Sequence, residues 1–317
     1  MEVVPTLFIV VPCYQEQDTL PATHERLLGL LRGLVAQSLV LAASRILLVD
    51  DGSTDGTWSI ISDLAARHGE VCGLKLTANV GHQNALVAGL EQAVDRADCI
   101  VTVDADLQDD IEVIPQMLQQ HASGIDVVYG VRRERKGDTW FKRNSALAFH
   151  RLMHALDVNS VYNHADYRLM SRRAVKALLA FGERNLFLRG LVPLVGYSSS
   201  KVYYDRAARQ AGKSKYPLGK MMALAIDGVT SFSVKPVRMV LSLGILFVLI
   251  AAGMLVYALV SYFTGHAISG WSSLILSLWF IGGCILIGLG IVGEYIGKIY
   301  IEVKGRPRYF VEESILH

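Results

Sequence analysis

Along the first 130 residues, short runs of apolar, β-branched side chains alternate with longer stretches whose apolar positions recur at helical spacing. That alternation predicts parallel βαβ units. Strands are expected at Leu7 to Val11, Ile46 to Val49, Leu74 to Thr77, Cys99 to Val103 and Val127 to Gly130. Helices are expected between them, near Thr19 to Val35, Thr54 to His68, Asn84 to Asp95 and Ile111 to Ser123. In an open α/β sheet, ligands bind beyond the carboxyl ends of the strands, so the residues after each run carry the information. They are Pro12, Tyr14 and Glu16; Asp50, Asp51, Gly52 and Ser53; Asn79, Gly81 and His82; Asp104 and Asp106; and Arg132 and Arg133. Any one of these would pass as a turn or a helix cap, and Ser53-Thr54-Asp55-Gly56 reads as a cap. Five polar ends on one rim point to a binding site instead.

The run Ile100-Val-Thr-Val-Asp-Ala-Asp-Leu-Gln108 is central. A lone Asp-x-Asp is more often an acidic turn than a site. At the mouth of a buried strand, however, Asp104 and Asp106 can share one hard divalent cation, with Gln108 supplying a further oxygen.

The pattern changes after residue 236. From Met239 to Gly293 the chain has 55 residues without one Asp, Glu, Lys or Arg, interrupted only by the turn-forming segment Thr264 to Gly270. Each half is long enough, as helix, to cross a bilayer, which predicts two transmembrane helices. Basic residues before the pair (Lys213, Lys215, Lys220, Lys235, Arg238) and after it (Lys298, Lys304, Arg306, Arg308) predict that both flanks are cytoplasmic, in a multi-pass protein of the inner (plasma) membrane. Leu218 to Val234 mixes apolar residues with Lys220 and Asp227 and reads as a helix lying in the interface. The predicted organisation is therefore a cytoplasmic domain over residues 1–216, an interfacial helix over 217–236, two transmembrane helices over 237–297 and a cytoplasmic tail over 298–317. Gly288-x-Gly290-x-x-Gly293 mimics a dinucleotide fingerprint, but no strand precedes it. These glycines suit close helix approach, and predict a homo-oligomer associating through the membrane helices.

Net charge is only +2, so there is no global basic excess and nucleic acid is not the expected partner. The positive charge is clustered: seven Lys or Arg against two acids over 132–151, and six against one over 201–220. A charge run is usually a solvated face, and most of these should be solvated. Cys13, Cys72, Cys99 and Cys284 show no zinc or disulfide spacing and read as reduced thiols. The apolar stretch at Leu7 lacks a basic leader and is too short for a signal peptide. His150 and His154 lie four apart on a predicted helix without the Glu of a zinc protease, and read as ordinary histidines.

Pro-Cys-Tyr-Gln-Glu (12–16), Val-Asp-Asp-Gly-Ser-Thr-Asp (49–55), Asn-Val-Gly-His-Gln (79–83) and Asp-Ala-Asp-Leu-Gln-Asp (104–109) resemble the motif series of family 2 glycosyltransferases. More narrowly they are similar to the polyprenyl-phosphate glycosyltransferases, the group of dolichol-phosphate mannose synthase and the bactoprenol glucosyltransferases. The resemblance implies a GT-A fold, a Rossmann-like α/β domain with a mostly parallel sheet. It assigns Pro12, Tyr14, Glu16, Val49, Asp51, Ala105 and Arg132 to the nucleotide sugar, and Asp104, Asp106 and Gln108 to the metal, Mg2+ or Mn2+. Asp166 matches a third family carboxylate, making Asp104, Asp106 and Asp166 the catalytic set. Arg-Gln-Ala-Gly-Lys-Ser-Lys-Tyr (209–216), Phe-Lys-Arg-Asn-Ser (141–145) and Phe-Leu-Arg-Gly (187–190) resemble further family elements, implying Arg209, Lys215, Lys142 and Arg189 as phosphate and acceptor ligands. Gln15, Ala78 and Asp110-Ile111 stand where the family has Asn, Arg and Pro-Pro.

The implied activity is inverting transfer of one hexose from a nucleotide sugar to polyprenyl (undecaprenyl) phosphate at the cytoplasmic membrane face. The two-span tail is similar to that of the glucosyltransferases, implying UDP-glucose, although aminoarabinose transferases share it. Glycosyl transfer places positive charge on the sugar carbon, so Asp166 is expected to stabilise or position substrate, or else to pair with Arg168. A proton-accepting role is unnecessary, because a phosphate monoester is mostly dianionic at pH 7. A processive polysaccharide synthase is a rival, but its QxxRW motif and additional spans are absent. A lipid-sugar flippase or a non-catalytic sensor is another.

Overall fold

The computed structural model describes residues 4–133, 164–184, 186–205, 235–264 and 270–317. Lys142, His150, His154, Arg209, Lys215 and the interfacial segment up to residue 234 lie outside the described residues. The described chain forms two units: 4–133, 164–205 and 306–317 make the first, and 235–305 the second.

In the first unit the elements run β1 (Leu7–Cys13), α1 (Leu20–Ala36), β2 (Arg45–Asp50), α2 (Thr57–Arg67), β3 (Val71–Leu76), α3 (His82–Ala93), β4 (Cys99–Thr102), α4 (Ile114–Ala122) and β5 (Val127–Arg132). There follow β6 (His164–Ser171), α5 (Arg172–Leu179), α6 (Leu188–Leu194), β7 (Ser199–Tyr204) and, at the C-terminus, β8 (Val311–Ile315). One eight-stranded sheet has the order β7-β5-β6-β4-β1-β2-β3-β8. β1 is buried along its whole length between parallel neighbours β2 and β4, as expected of a continuous apolar run with both faces covered. α3 presses close on it: a Cβ at Gly89 would lie 2.4 Å from Val10 Cγ1, so only glycine allows that approach.

Two helices start where side chains release them. α2 begins at Thr57 rather than Thr54, because Ser53 accepts from the Gln15 amide, while Asp55 accepts from the Gln17 and Thr57 amides. α3 begins at His82 rather than Asn84, since the Asp51 carboxylate accepts from the amides of Val80 and Gly81 and fixes the entering turn.

Strand β6 is absent from the apolar pattern yet runs antiparallel between β4 and β5. Its charged residues, Asp166 and Arg168, are two apart, which on a strand places them on one face, where they neutralise each other. The tail expected over 298–317 is also not a tail. The second helix of the 235–305 unit continues to Lys304, and Val311–Ile315 is the antiparallel edge strand beside β3. Its alternation is hidden by Glu312 and Glu313, which bond Lys75 and the Trp58 indole.

At the opposite strand ends, Asp126 accepts from Arg173, Ser171 and Ser198. Arg173 and the two hydroxyls outweigh desolvation and hold its carboxyl down at about 2. The folded value lies below the unfolded one, so this stabilisation is complete above pH 4 and disappears as pH falls toward 2. Asp126→Asn should therefore cost about 2 kcal/mol at pH 7 and much less near pH 2.5. Melting temperatures at the two pH values check this, and an equal loss at both would refute it.

The second unit is a helical hairpin, α7 (Lys235–Phe263) and α8 (Trp271–Lys304). Phe280–Lys304 is long and apolar enough to cross a membrane, and in α7 the described apolar stretch is Val237–Phe247. Gly288 serves packing inside the hairpin, since a Cβ there would lie 3.0 Å from Val240.

Candidate active site

The carboxyl ends of β1 to β5 share one rim, and the loops leaving them are laced together. After β1 the chain turns through Gln15 at φ 57, a left-handed conformation costly for a side-chain-bearing residue. The strain is offset by hydrogen bonds from the Gln15 amide to Ser53 Oγ at 3.0 Å and from its side chain to Thr54 Oγ1 at 2.7 Å. Tyr14 beside it is exposed, and Glu16 touches the Thr19 hydroxyl. Pro12 and Val49 are register partners inside the sheet, and both are buried. Ala105 is buried too, with its carbonyl accepting from Thr23. Asp51 is 2 % exposed and spends both oxygens on the Val80 and Gly81 amides, at 2.8 and 3.0 Å. Burial raises its pKa against the pull of those amides.

Beyond β4 the backbone turns through Leu107 at φ 40, projecting Asp104 and Asp106. The register of β4 against β6 pairs Thr102 with Arg168; continued two residues, it sets Asp104 opposite Asp166. The Thr102 hydroxyl donates to the Asp166 carbonyl at 2.5 Å, fastening the two strands just below the carboxylates. Asp166 has its Oδ1 2.5 Å from Arg168 Nη2 and its Oδ2 3.2 Å from Arg189 Nη2. Burial alone would raise its pKa, but the two guanidinium groups dominate and hold it at about 2. Asp166 is therefore a permanent carboxylate. Its pairing with Arg168, buried beneath it, matches the structural half of the earlier alternative.

Sequence reasoning took His82 as one polar strand end among several. In the fold its Nε2 lies 3.6 Å from Asp104 and 3.8 Å from Asp166, between the two carboxylates. The Asn-Val-Gly-His-Gln stretch was the available signal. Gln83, next along, accepts from the Leu188 amide and so ties α3 to α6, the helix carrying Arg189.

Arg132, at the end of β5, meets the acidic loop. Its guanidinium grips the buried Asp109 at 2.9 Å, and the Tyr204 hydroxyl donates to the same carboxylate at 2.7 Å. This network braces the 104–109 loop from below. Asp109 closes the 104–109 motif without having been given a role, and Tyr204 carried no sequence signal, because its partner is 95 residues away.

Among the described residues, Asp104 and Asp106 remain as carboxylates without an Arg or Lys ion pair. Burial raises the pKa of Asp104, His82 opposes that, and Asp166, Asp109 and Asp106 raise it further. This excess of negative charge, presented on hard oxygen donors, fits a divalent cation. Among the described residues no group of three His, Cys, Asp or Glu could enclose an ion, so two carboxylates would have to share it with the oxygens of a bound diphosphate. Gln108 is buried and directs its amide nitrogen at Asp106, where a metal ligand would present its oxygen.

A mixed, mostly parallel α/β sheet with acidic loops at its carboxyl rim defines a GT-A-like protein. Residues 8–179 match the family described as "Glycosyl transferase family 2", and the chain belongs to that family. It is 49 % identical to the uncharacterized glycosyltransferase YkoT of Bacillus subtilis, over 97 % of this chain and 91 % of that protein. It is 39 % identical to the bactoprenol glucosyl transferase of Shigella phage SfII, over 96 % and 97 %. To the prophage bactoprenol glucosyl transferase homolog of Escherichia coli it is 37 % identical, over 96 % and 97 %. The chain is a glycosyltransferase.

Proposed function

We propose that this enzyme transfers glucose from UDP-glucose to polyprenyl phosphate, with inversion, at the cytoplasmic face of a membrane that both α7 and α8 cross. Near full-length similarity to bactoprenol glucosyl transferases supports the acceptor and the sugar. The apolar, charge-free stretch of the hairpin supports the location.

The observation that carries the chemistry is Asp166, locked as an anion opposite Asp104. An oxygen of the acceptor phosphate attacks the anomeric carbon. The bond from that carbon to the donor diphosphate breaks, and its electron pair leaves with the diphosphate. Positive charge grows on the sugar carbon in between, and a fixed carboxylate stabilises it. A group titrating near 2 cannot take a proton at neutral pH, and none needs removing from a phosphate whose second ionisation lies near 6. Mg2+ or Mn2+ held by Asp104 and Asp106 would neutralise the leaving diphosphate.

Membranes containing the protein, incubated with polyprenyl phosphate, a divalent cation and a panel of labelled nucleotide sugars, should move label into the organic phase from UDP-glucose. Label in a water-soluble polymer, or no transfer from any donor, would overturn the proposal. In the same assay Asp104→Asn should raise the metal concentration needed for half-maximal rate by about tenfold or more, and reduce turnover roughly a hundredfold. An unchanged metal titration would remove Asp104 from the metal site.

A further inference from the structure

The chain that leaves α8 does more than complete the sheet. Three residues beyond Gly305, the Arg308 side chain is buried to 9 % exposure, and its Nη2 donates to the carbonyls of Phe181 and Glu183, both at 2.8 Å. Those carbonyls belong to the connection between α5 and α6. Arg308 Nη1 also lies 4.0 Å from Glu91 on α3, and the neighbouring Tyr309 hydroxyl bonds the same carboxylate. One residue further, the Phe310 carbonyl accepts from the Thr77 amide at the end of β3. Three successive residues thus hold three separate elements.

Two of these lead to Asp166, the α5–α6 connection through the start of α6 and α3 through its own first residue. α6 carries Arg189, which bonds Asp166, and its first amide, Leu188, is tied to Gln83. α3 begins with His82, 3.8 Å from Asp166. α6 itself is short, seven residues with Pro193 inside, so little internal hydrogen bonding holds it in place. Its position depends on what grips its ends.

We propose that Arg308 is a positioning residue for glycosyl transfer: by clasping the Phe181 and Glu183 carbonyls it sets the start of α6, and thereby seats Arg189 on Asp166. The inference rests on Asp166 acting in the reaction as proposed above. Arg suits the task because one guanidinium donates to two carbonyls with fixed geometry; Lys has a single nitrogen on a flexible stem. The latch also makes the residues directly following the membrane hairpin part of the catalytic architecture.

The test uses full-length enzyme in membranes or detergent, with Arg308→Gln, the milder Arg308→Lys, Arg189→Lys and the Arg308→Gln/Arg189→Lys double variant. Hydrogen exchange of the peptide covering residues 186–194 is the readout independent of activity, and Arg308→Gln should speed it about tenfold or more. In the transfer assay Arg308→Gln should lower kcat on the order of tenfold with KM for the nucleotide sugar within about twofold. Arg308→Lys should fall between it and wild type. The double variant should be no slower than Arg189→Lys alone, because both changes act through one contact. Unchanged exchange, multiplying losses in the double variant, or a kcat loss absent from both Arg308 variants would each overturn the proposal. Should Arg308→Gln not fold, the Lys variant decides by the same readings. A wild-type enzyme that transfers no sugar would sink the proposed reaction and the positioning role together, whereas failure of the exchange reading alone sinks only the latch.

Discussion

Asp166→Asn is expected to reduce turnover by about a thousandfold or more while leaving UDP binding within a fewfold of wild type. The carboxylate carries a full negative charge in a mostly buried setting, where a preorganised charge acting on a developing cation contributes several kcal/mol. Asn keeps the shape and loses the charge. It also leaves Arg168, 1 % exposed, without its counter-ion, which costs about 3–5 kcal/mol for a buried pair broken on one side. Arg189 is half exposed and can turn to solvent, so it does not share that penalty. Turnover must therefore be normalised to folded enzyme, with the melting temperature measured alongside. Adding Arg168→Leu to Asp166→Asn should recover stability and recover no activity. Near wild-type turnover in the single variant would remove Asp166 from the chemistry, and activity regained in the double variant would assign its effect to folding alone.

The second large effect is expected from Gly52→Ala. Gly52 lies at φ 65, where a side chain costs about 1–2 kcal/mol by itself. An added Cβ would sit 2.4 Å from the Ala78 carbonyl carbon and 2.6 Å from the Asn79 nitrogen, which are backbone atoms with no rotamer to yield. The loops after β2 and β3 must then separate. That pulls on the bonds from Val80 and Gly81 to Asp51, and on the placement of His82 between Asp104 and Asp166. A loss of roughly 3 kcal/mol and a fall in melting temperature on the order of 5–10 °C are expected. The KM for the nucleotide sugar should rise about tenfold, even though Gly52 offers no side chain to it. An unchanged melting temperature would mean that the two loops do not meet as closely as described.

The β1 to β5 framework and its acidic rim were legible because both follow from local rules. Apolar runs of four to six residues bounded by turn formers can only be buried strands between helices, and parallel connection brings their carboxyl ends to one side. The second carboxylate centre was legible only through motif similarity. Asp166 and Arg168 make β6 look like a loop until they are seen to neutralise each other on one face. Other surroundings came into view only with the fold: Arg132 bonds Asp109, and Pro12, Val49 and Ala105 are buried. The edge strand β8 escaped notice because its partner β3 lies more than 230 residues earlier in the chain.

By itself, then, the order of residues determined the α/β class, the charge-free segment after residue 239, and the two aspartates that close β4. Each of these depends on neighbours within a few positions, where periodicity and composition are complete information. The tertiary structure alone decided that His82 stands between Asp104 and Asp166, that two arginines keep Asp166 ionised, and that Arg308 reaches back to the approach to α6. Those relations join residues that chain order keeps far apart. A carboxylate's charge state follows from burial and the cations beside it, and burial exists only once the sheet has formed.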